Sequence, residues 1–439
     1  MPEQNNKAWV VAADMGYGHQ RAVYPLADIA EGGIITVGST DDSLPAERKL
    51  WKKLLNGYEL FSRARSIPII GRPIFSILDK LLHIPSFYPM RDLSVSTFQV
   101  TTLLSFITKG LCSGMMERIS KKHLPLVTSF YAPAIAADLK GYDKIYCIIC
   151  DADLNRVWVA KNPYDSRIFY FAPCGKAAQR LRAYGVSDDK IFLTGFPLSK
   201  TLLGDKNLSL LKADLGQRLF YLDPKRRFFH LHERNVEHFL GKENLIFKND
   251  RKLTITYAVG GAGALKEIGG KIAFSLKDKI LNGQIKLNLV AGIRKEVNEY
   301  FENIKKTIGI SDNSIEIIFD NTLNGYFEKF NNVIRTTDVL WTKPSELSFY
   351  CGLGLPIIIT SAIGSQEIFN SKWLKELNVG IKQENPDYTK DWLFDMLNSG
   401  RLAEAAWSGF LKSRKLGTYK IEEIIETGKM SADESYVFR

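Results

Sequence analysis

No charge-free apolar run in this sequence reaches the roughly 18 residues that a membrane-crossing helix needs. With 439 residues, 45% of them hydrophobic and 24% charged, the chain is expected to be a soluble globular protein. The opening MPEQNNKAWVV lacks a basic stretch followed by an apolar one, so no secretory signal is expected. Cysteine is scarce: Cys112, Cys147, Cys150, Cys174 and Cys351 form an odd, scattered set with no disulfide framework, the usage of a reducing cytosol. Cys147 and Cys150 stand in C-x-x-C spacing inside the apolar run KIYCIIC, but no second Cys or His pair completes a zinc site. They read as structural thiols, and no metal is expected. Two nucleotide fingerprints are missing as well. After Gly261 and Gly263, Lys266 occupies the place of the third glycine of G-x-G-x-x-G, no acid ends the next strand IKLNLVAG, and no Walker lysine follows. NAD and ATP are excluded on that ground.

What is present is length, rhythm and positive charge. A chain this long favours two domains of about 200 residues each. The formal net charge is +11, and residues 46–91 hold nine basic side chains against three acidic ones. There the cations alternate with Trp51, Leu54, Leu55, Phe61, Ile69, Ile70 and Phe75, which predicts two short amphipathic helices broken at Pro68 and Pro73. An anionic membrane surface selects such a pattern, each cation near it contributing about 1 kcal/mol. A helical excursion packed on its own domain would give the same pattern. Nucleic acid fits less well, because the apolar residues are largely aliphatic rather than a ladder of stacking aromatics.

The run AWVVAA, continuously apolar, predicts a buried parallel strand, and QRAVYPLADIAEGG predicts the helix after it. Asp14, Gly16, Gly18 and His19 then fall in a strand-to-helix loop, at the end of an α/β sheet where ligands bind. A plain tight turn remains the competing reading. The rhythm resumes with LVTSFYAPAIAADL, KIYCIICDAD, RIFYFAPCGKAAQRLRAYGV and KIFLTGFPL, which together form a doubly wound pattern. It lapses over 201–252, a linker expected to be helical in part. A second α/β unit opens with KLTITYAVGGAGALKEIGG and continues through IKLNLVAG, IEIIFD, DVLWT and PIIIT, and helical material ends the chain.

In the second unit, Gly260, Gly261 and Gly263 follow a strand and open a helix, offering backbone N–H groups to an anion. The turn TKPSELS brings Lys343, Ser345 as helix N-cap, and Glu346 in the first turn of a helix running to Gly352 or Gly354. Glu346 either complements the helix dipole or accepts from a ribose diol. Gln366, Glu367 and Asn370 gather after PIIIT, either as readers of sugar hydroxyls or as part of a capping box.

Taken together, DMGYGH, YGVSDDKIFLTGFPL, YAVGGAGA and TKPSELSFYCGLGLPIIITSAIGSQEIFNSKWLKELNVG resemble GT-B glycosyltransferases. Monogalactosyldiacylglycerol synthases and processive diacylglycerol glucosyltransferases are the most similar, and the peptidoglycan N-acetylglucosaminyltransferase is also similar. The likeness runs from Trp9 to Gly380. It implies an α/β fold of two doubly wound Rossmann-like domains facing a cleft. Residues 1–200 would form the acceptor domain and 253–385 the nucleotide-sugar domain, with 386–439 as terminal helices that can cross back. The reaction implied is transfer of a sugar from a UDP-linked donor to a membrane lipid such as diacylglycerol, with no metal or cofactor, by a cytoplasmic protein held on the inner face of the cell membrane. Under this reading His19 is the base, with Asp14 and Asp151 as rival bases or as orienters of His19. Gly16 and Gly18 face the acceptor, and Gly260, Gly261, Gly263, Lys343, Ser345, Glu346, Gln366, Glu367 and Asn370 face the donor. The sequence departs from the family at one turn, about two residues short, where Phe349 stands at the counted position of the ribose glutamate and Glu346 is the acid available. A sugar-nucleotide epimerase and a cleft that binds without turnover are the alternative readings.

Overall fold

The computed structural model describes residues 7–38, 43–64, 84–89, 91–260, 263, 265–362, 365–433 and 435–439. Two six-stranded, wholly parallel sheets organise it. The first contains β1 (Trp9–Ala13), β2 (Ile35–Val37), β3 (Leu126–Thr128), β4 (Ile145–Ile148), β5 (Ile168–Phe171) and β6 (Ile191–Phe192), in the order β2-β1-β3-β4-β5-β6. The second contains β7 (Leu253–Ala258), β8 (Ile285–Gly292), β9 (Ile315–Phe319), β10 (Val339–Thr342), β11 (Ile357–Ile359) and β12 (Gly380–Lys382), in the order β12-β11-β10-β7-β8-β9. The continuous apolar runs of the sequence became these strands because both faces of each sheet are covered. All five residues of β1 and all six of β7 are buried.

Strand order matters more for the site than strand content. The chain leaves β1 for β2 on one side and then crosses to β3 on the other, so the winding reverses beside β1. The same reversal occurs beside β7, which lies between β8 and β10. Such switch points open a crevice outside the carboxyl ends of the strands, where ligands of doubly wound sheets bind.

Several expectations about local structure change. The first helix starts at Tyr17 and ends at Val23, and a 3₁₀ stretch, Tyr24–Ile29, replaces its expected continuation. Pro25 lies in the first turn of that stretch and has no N–H to extend an α-helix. Strands β2 and β12, three residues each, were not expected at all. The segment after Pro45 is one helix, Pro45–Ala64, while the breaks expected at Pro68 and Pro73 lie outside the described residues. Within 201–252, two full helices, Ser209–Leu222 and Arg227–Leu240, stand where partial helicity was expected. The first is fastened to the second sheet by buried Arg218, which donates to the carbonyls of Thr337 at 2.7 Å and Leu353 at 2.6 Å. The last helix, Gly417–Thr427, lies against the end of the first sheet, with Thr418 Oγ1 donating to the Leu198 carbonyl at 2.5 Å.

Candidate active site

The first half of the site grows from the end of β1. Gly16 has φ of 120°, a conformation that L side chains rarely adopt, and it turns the chain so that the helix begins at Tyr17. Gly18 and His19 therefore lie in the first helical turn, not in a loop as the sequence suggested. His19 is not a surface side chain. Its Nδ1 lies 2.8 Å from the Ser129 carbonyl just beyond β3, and Ser129 Oγ donates back to the His19 carbonyl at 2.6 Å. These two bonds span the switch point between β1 and β3. A carbonyl only accepts, so Nδ1 carries the proton, and Nε2 keeps a lone pair with no partner among the described residues. Burial, partly opposed by the Ser129 bond and the charge of Glu346, holds the imidazole pKa below its ordinary value and keeps it neutral. Rings of Phe130 at 4.8 Å and Trp158 at 6.0 Å fix its plane. Asp14, considered from sequence as an orienter of His19, instead accepts from Gln20 Nε2 at 3.3 Å.

The second half comes from the ends of β7, β10 and β11. Gly260, after β7, has φ of 77°, and a Cβ there would stand 2.8 Å from Lys343 Cε, so the Lys343 stem passes directly over it. Lys343, after β10, donates to Glu367 Oε1 at 2.8 Å. Gly263 has φ of 66° and faces Val297, whereas Gly261 lies outside the described residues. Glu346–Leu353 is a 3₁₀ helix rather than the expected α-helix, and Ser345, at its N-cap position, makes no side-chain capping bond. Gln366, Glu367 and Asn370 all lie on the helix Ser365–Glu376.

The two halves meet directly. A Cβ on Gly18 would stand 3.2 Å from Glu346 Oε2, which is why this helical position tolerates nothing larger without displacing the glutamate. Arg21, one turn along the same helix, is buried in the other half. Its Nε reaches Glu346 Oε1 at 3.3 Å, Nη2 donates to Tyr326 Oη at 2.9 Å, and the guanidinium lies over the rings of Phe330 and Phe327 at 4.4 and 4.6 Å. Tyr17 Oη accepts from Ile293 N at 3.3 Å. Asn370, fully buried, donates to Asp151 Oδ1 at 2.8 Å and accepts from Ala152 N at 2.7 Å. The structure thus brings His19, Asp151, Lys343, Glu346, Glu367 and Asn370 to one set of facing strand ends.

The electrostatics follow from that crowding. Burial pushes the Asp151 carboxyl up to about 6. The Asn370 bond opposes this, the charges of Glu346 and Glu367 add to it, and Lys343 offsets part. A neutral imidazole with a free Nε2 and a carboxyl titrating near 6 can both take a proton near neutral pH. The five cysteines are free and buried. Arg21, Tyr326 and Ser129 were missed from sequence. Only the adjacency of Arg21 to the glycine turn hinted at a role, and Ser129 contributes chiefly a backbone carbonyl, which no residue type announces.

A sequence-family model described as a domain of unknown function, DUF6938, matches residues 293–422. No curated protein matches the sequence. Among solved structures, MnaA of Staphylococcus aureus with UDP superposes with a TM-score of 0.50 at 11% identity, covering 98% of this chain and 100% of that one. A Listeria monocytogenes protein described as a UDP-N-acetylglucosamine 2-epimerase gives 0.50 at 14% identity, covering 96% of each chain. Acinetobacter baumannii MurG gives 0.47 at 13%, covering 96% and 99%. The fold is GT-B. Two doubly wound domains with their switch points turned toward each other are what define the GT-B arrangement, and at these identities the likeness concerns architecture rather than substrate.

Proposed function

We propose that this GT-B protein is a glycosyltransferase that moves a sugar from a UDP-linked donor to a membrane lipid, with diacylglycerol as the expected acceptor. The observation that carries the reading is His19. It stands at the switch point of the first domain with Nδ1 committed to Ser129 and Nε2 open, within reach of the charge of Glu346 from the second domain. In the proposed reaction Nε2 takes the proton of the acceptor hydroxyl as its oxygen attacks the anomeric carbon. The bond from that carbon to the diphosphate oxygen breaks, and UDP leaves with its electron pair. Lys343 and the N–H groups around Gly260 and Gly263 receive the leaving charge, and Gln366 and Glu367 read the sugar, while Asn370, expected from sequence to join them, is fully buried and holds Asp151 and Ala152 instead. Glu346 accepts from the ribose in place of the glutamate missing at Phe349. Gly16, with open space beside it, leaves room for the acceptor, whereas the space over Gly18, expected from sequence to face the acceptor, is taken by Glu346; residues 1–200 form the acceptor domain and 253–385 the donor domain.

Attachment to the inner face of the cell membrane is part of the proposal. The basic helix Pro45–Ala64, preceded by exposed Leu44, supports it. No helix among the described residues is long and apolar enough to cross a bilayer. One observation favours a second reading: Asp151, Glu346, Glu367 and Lys343 give the site more acid and base groups than a single proton transfer requires, as an epimerase would need. Radiolabelled UDP-sugars offered with diacylglycerol liposomes separate the two. Transfer puts label in the lipid phase, and His19→Ala should lower that rate by about 10²–10⁴-fold with UDP binding retained. Label that stays in water on an epimerised sugar establishes the second reading, and a His19→Ala rate within a few-fold of wild type removes His19 as the base.

A further inference from the structure

At the edge of the second sheet, a separate cavity of about 400 Å³ lies between the ends of β11 and β12 and the helix Ser365–Glu376. That helix serves two sides. Asn370 holds Asp151 of the first domain, whereas Ile368, Ser371, Lys372 and Lys375 line the cavity. None of the residues assigned to donor or acceptor is on its wall.

The polar part of the wall is made of donors. Lys372 and Lys375 stand three residues apart on the helix, and Lys382 joins them from β12. No Asp or Glu lines the cavity among the described residues, and no carboxylate there pairs with any of these lysines. Glu376, the acid next to Lys375, is turned to Lys176 of the first domain at 3.6 Å. Like charges gathered on neighbouring turns repel, and an anion between them relieves that. A solvated lysine face alone would bind nothing in particular. Two further groups separate this wall from such a face. Thr360 is only 3% exposed, and its Oγ1 is buried without a partner, although most buried polar atoms have one. Gln383 has its amide orientation set by Trp341 Nε1, which donates to Oε1 at 2.8 Å. An indole N–H only donates, so the Gln383 NH₂ group is the end left over, with no partner among the described residues.

We propose that this cavity binds a phosphomonoester of sugar size. Its phosphate, an acceptor of hydrogen bonds carrying close to two negative charges near neutral pH, matches ammonium, amide and hydroxyl donors together. The volume is that of a small-molecule site rather than of a bare ion, and the body of the ligand would lie against Ile359, Ala362 and Ile368, the last 46% exposed. This site is distinct from the facing strand ends and does not depend on sugar transfer.

The test is calorimetric titration of the full chain with glucose 6-phosphate. Saturable binding to one site is expected, weakened by added salt, with glucose giving none and inorganic phosphate about tenfold weaker for want of the apolar contacts. Lys372→Gln combined with Lys375→Gln, and separately Thr360→Val, should each weaken it by about tenfold, the worth of a hydrogen bond to a charged group. The lysine pair is exposed and unpaired, so that variant keeps the melting temperature of wild type and decides the matter even if Thr360→Val fails to fold. Repeating the titration in excess UDP should leave the affinity unchanged. Absence of saturable binding, equal affinity in wild type and the lysine variant, or inorganic phosphate binding as tightly as the sugar phosphate would each overturn the proposal. Displacement by UDP would do so as well, by placing the ligand among the residues that face the donor. None of these outcomes bears on whether label reaches diacylglycerol.

Discussion

Replacing Asp151 with asparagine removes a charge while keeping a shape. The carboxyl accepts from Asn370 Nδ2 at 2.8 Å, and the new amide oxygen can accept the same bond. The folded protein raises this carboxyl from 3.8 to about 6, chiefly through burial, with Glu346 and Glu367 adding and the Asn370 bond opposing. At about 1.4 kcal/mol per tenfold change in proton affinity, that gap is worth up to about 3 kcal/mol. The folded pKa lies above the unfolded one, so the folded state binds the proton more tightly. The stability this contributes is complete below about pH 4 and is lost as pH rises through about 6. Asp151→Asn, with no charge to desolvate, should match wild type near pH 4 and exceed it at pH 8 by a few degrees in melting temperature for a chain of this size. Differential scanning calorimetry at both values measures this. An advantage independent of pH, or a variant less stable than wild type at pH 8, would refute the account of Asp151 as a carboxyl strained by burial and by its acidic neighbours.

Gly18→Val should destabilise the protein by about 1–3 kcal/mol in denaturant titration, because the new methyls must move Glu346 off its contact with Arg21. Unchanged stability would mean that Glu346 is free to yield. Arg21→Met should cost about 3–5 kcal/mol, the usual result of leaving a buried carboxylate unpaired, whereas Arg21→Met with Glu346→Gln should recover part of it; additive losses would show that the two do not interact. Replacing Lys49, Lys52 and Lys53 with glutamine should weaken sedimentation with anionic vesicles and flatten its salt dependence. Equal sedimentation of wild type with neutral vesicles would count against the electrostatic part.

Much of the fold was legible because a parallel sheet covered on both faces writes itself as continuous apolar runs, and AWVVAA and KLTITYAV did so plainly. Strands of three residues such as β2 and β12 leave too short a record to separate from loops. Strand order left none, since nothing in ITV or GIK says which neighbour it will choose. The glycine turns were visible as turns, but Gly18 is a glycine for a reason 328 positions away, at Glu346. The same holds for Asp151, whose carboxyl is raised chiefly by burial, with Glu346 and Glu367 of the other domain adding to it. Single-residue chemistry could nominate these side chains, and only their meeting explains how they are tuned.

Under the proposed donor contact, Arg21 already holds the carboxylate that the ribose would use. Its guanidinium holds Glu346 at 3.3 Å and lies under an aromatic roof made by Phe327 and Phe330. A ribose that drew Glu346 away from Arg21 would enter as a competitor of the protein's own side chain. Its net affinity would then be what remains after that contact is given up, weaker than the sum of the new bonds suggests. By the same exchange, departure of the product would be assisted, because the arginine stands ready to reclaim the glutamate. An enzyme arranged in this way trades tight holding for prompt release, and measured donor affinity would understate how well the assembled site fits its substrate.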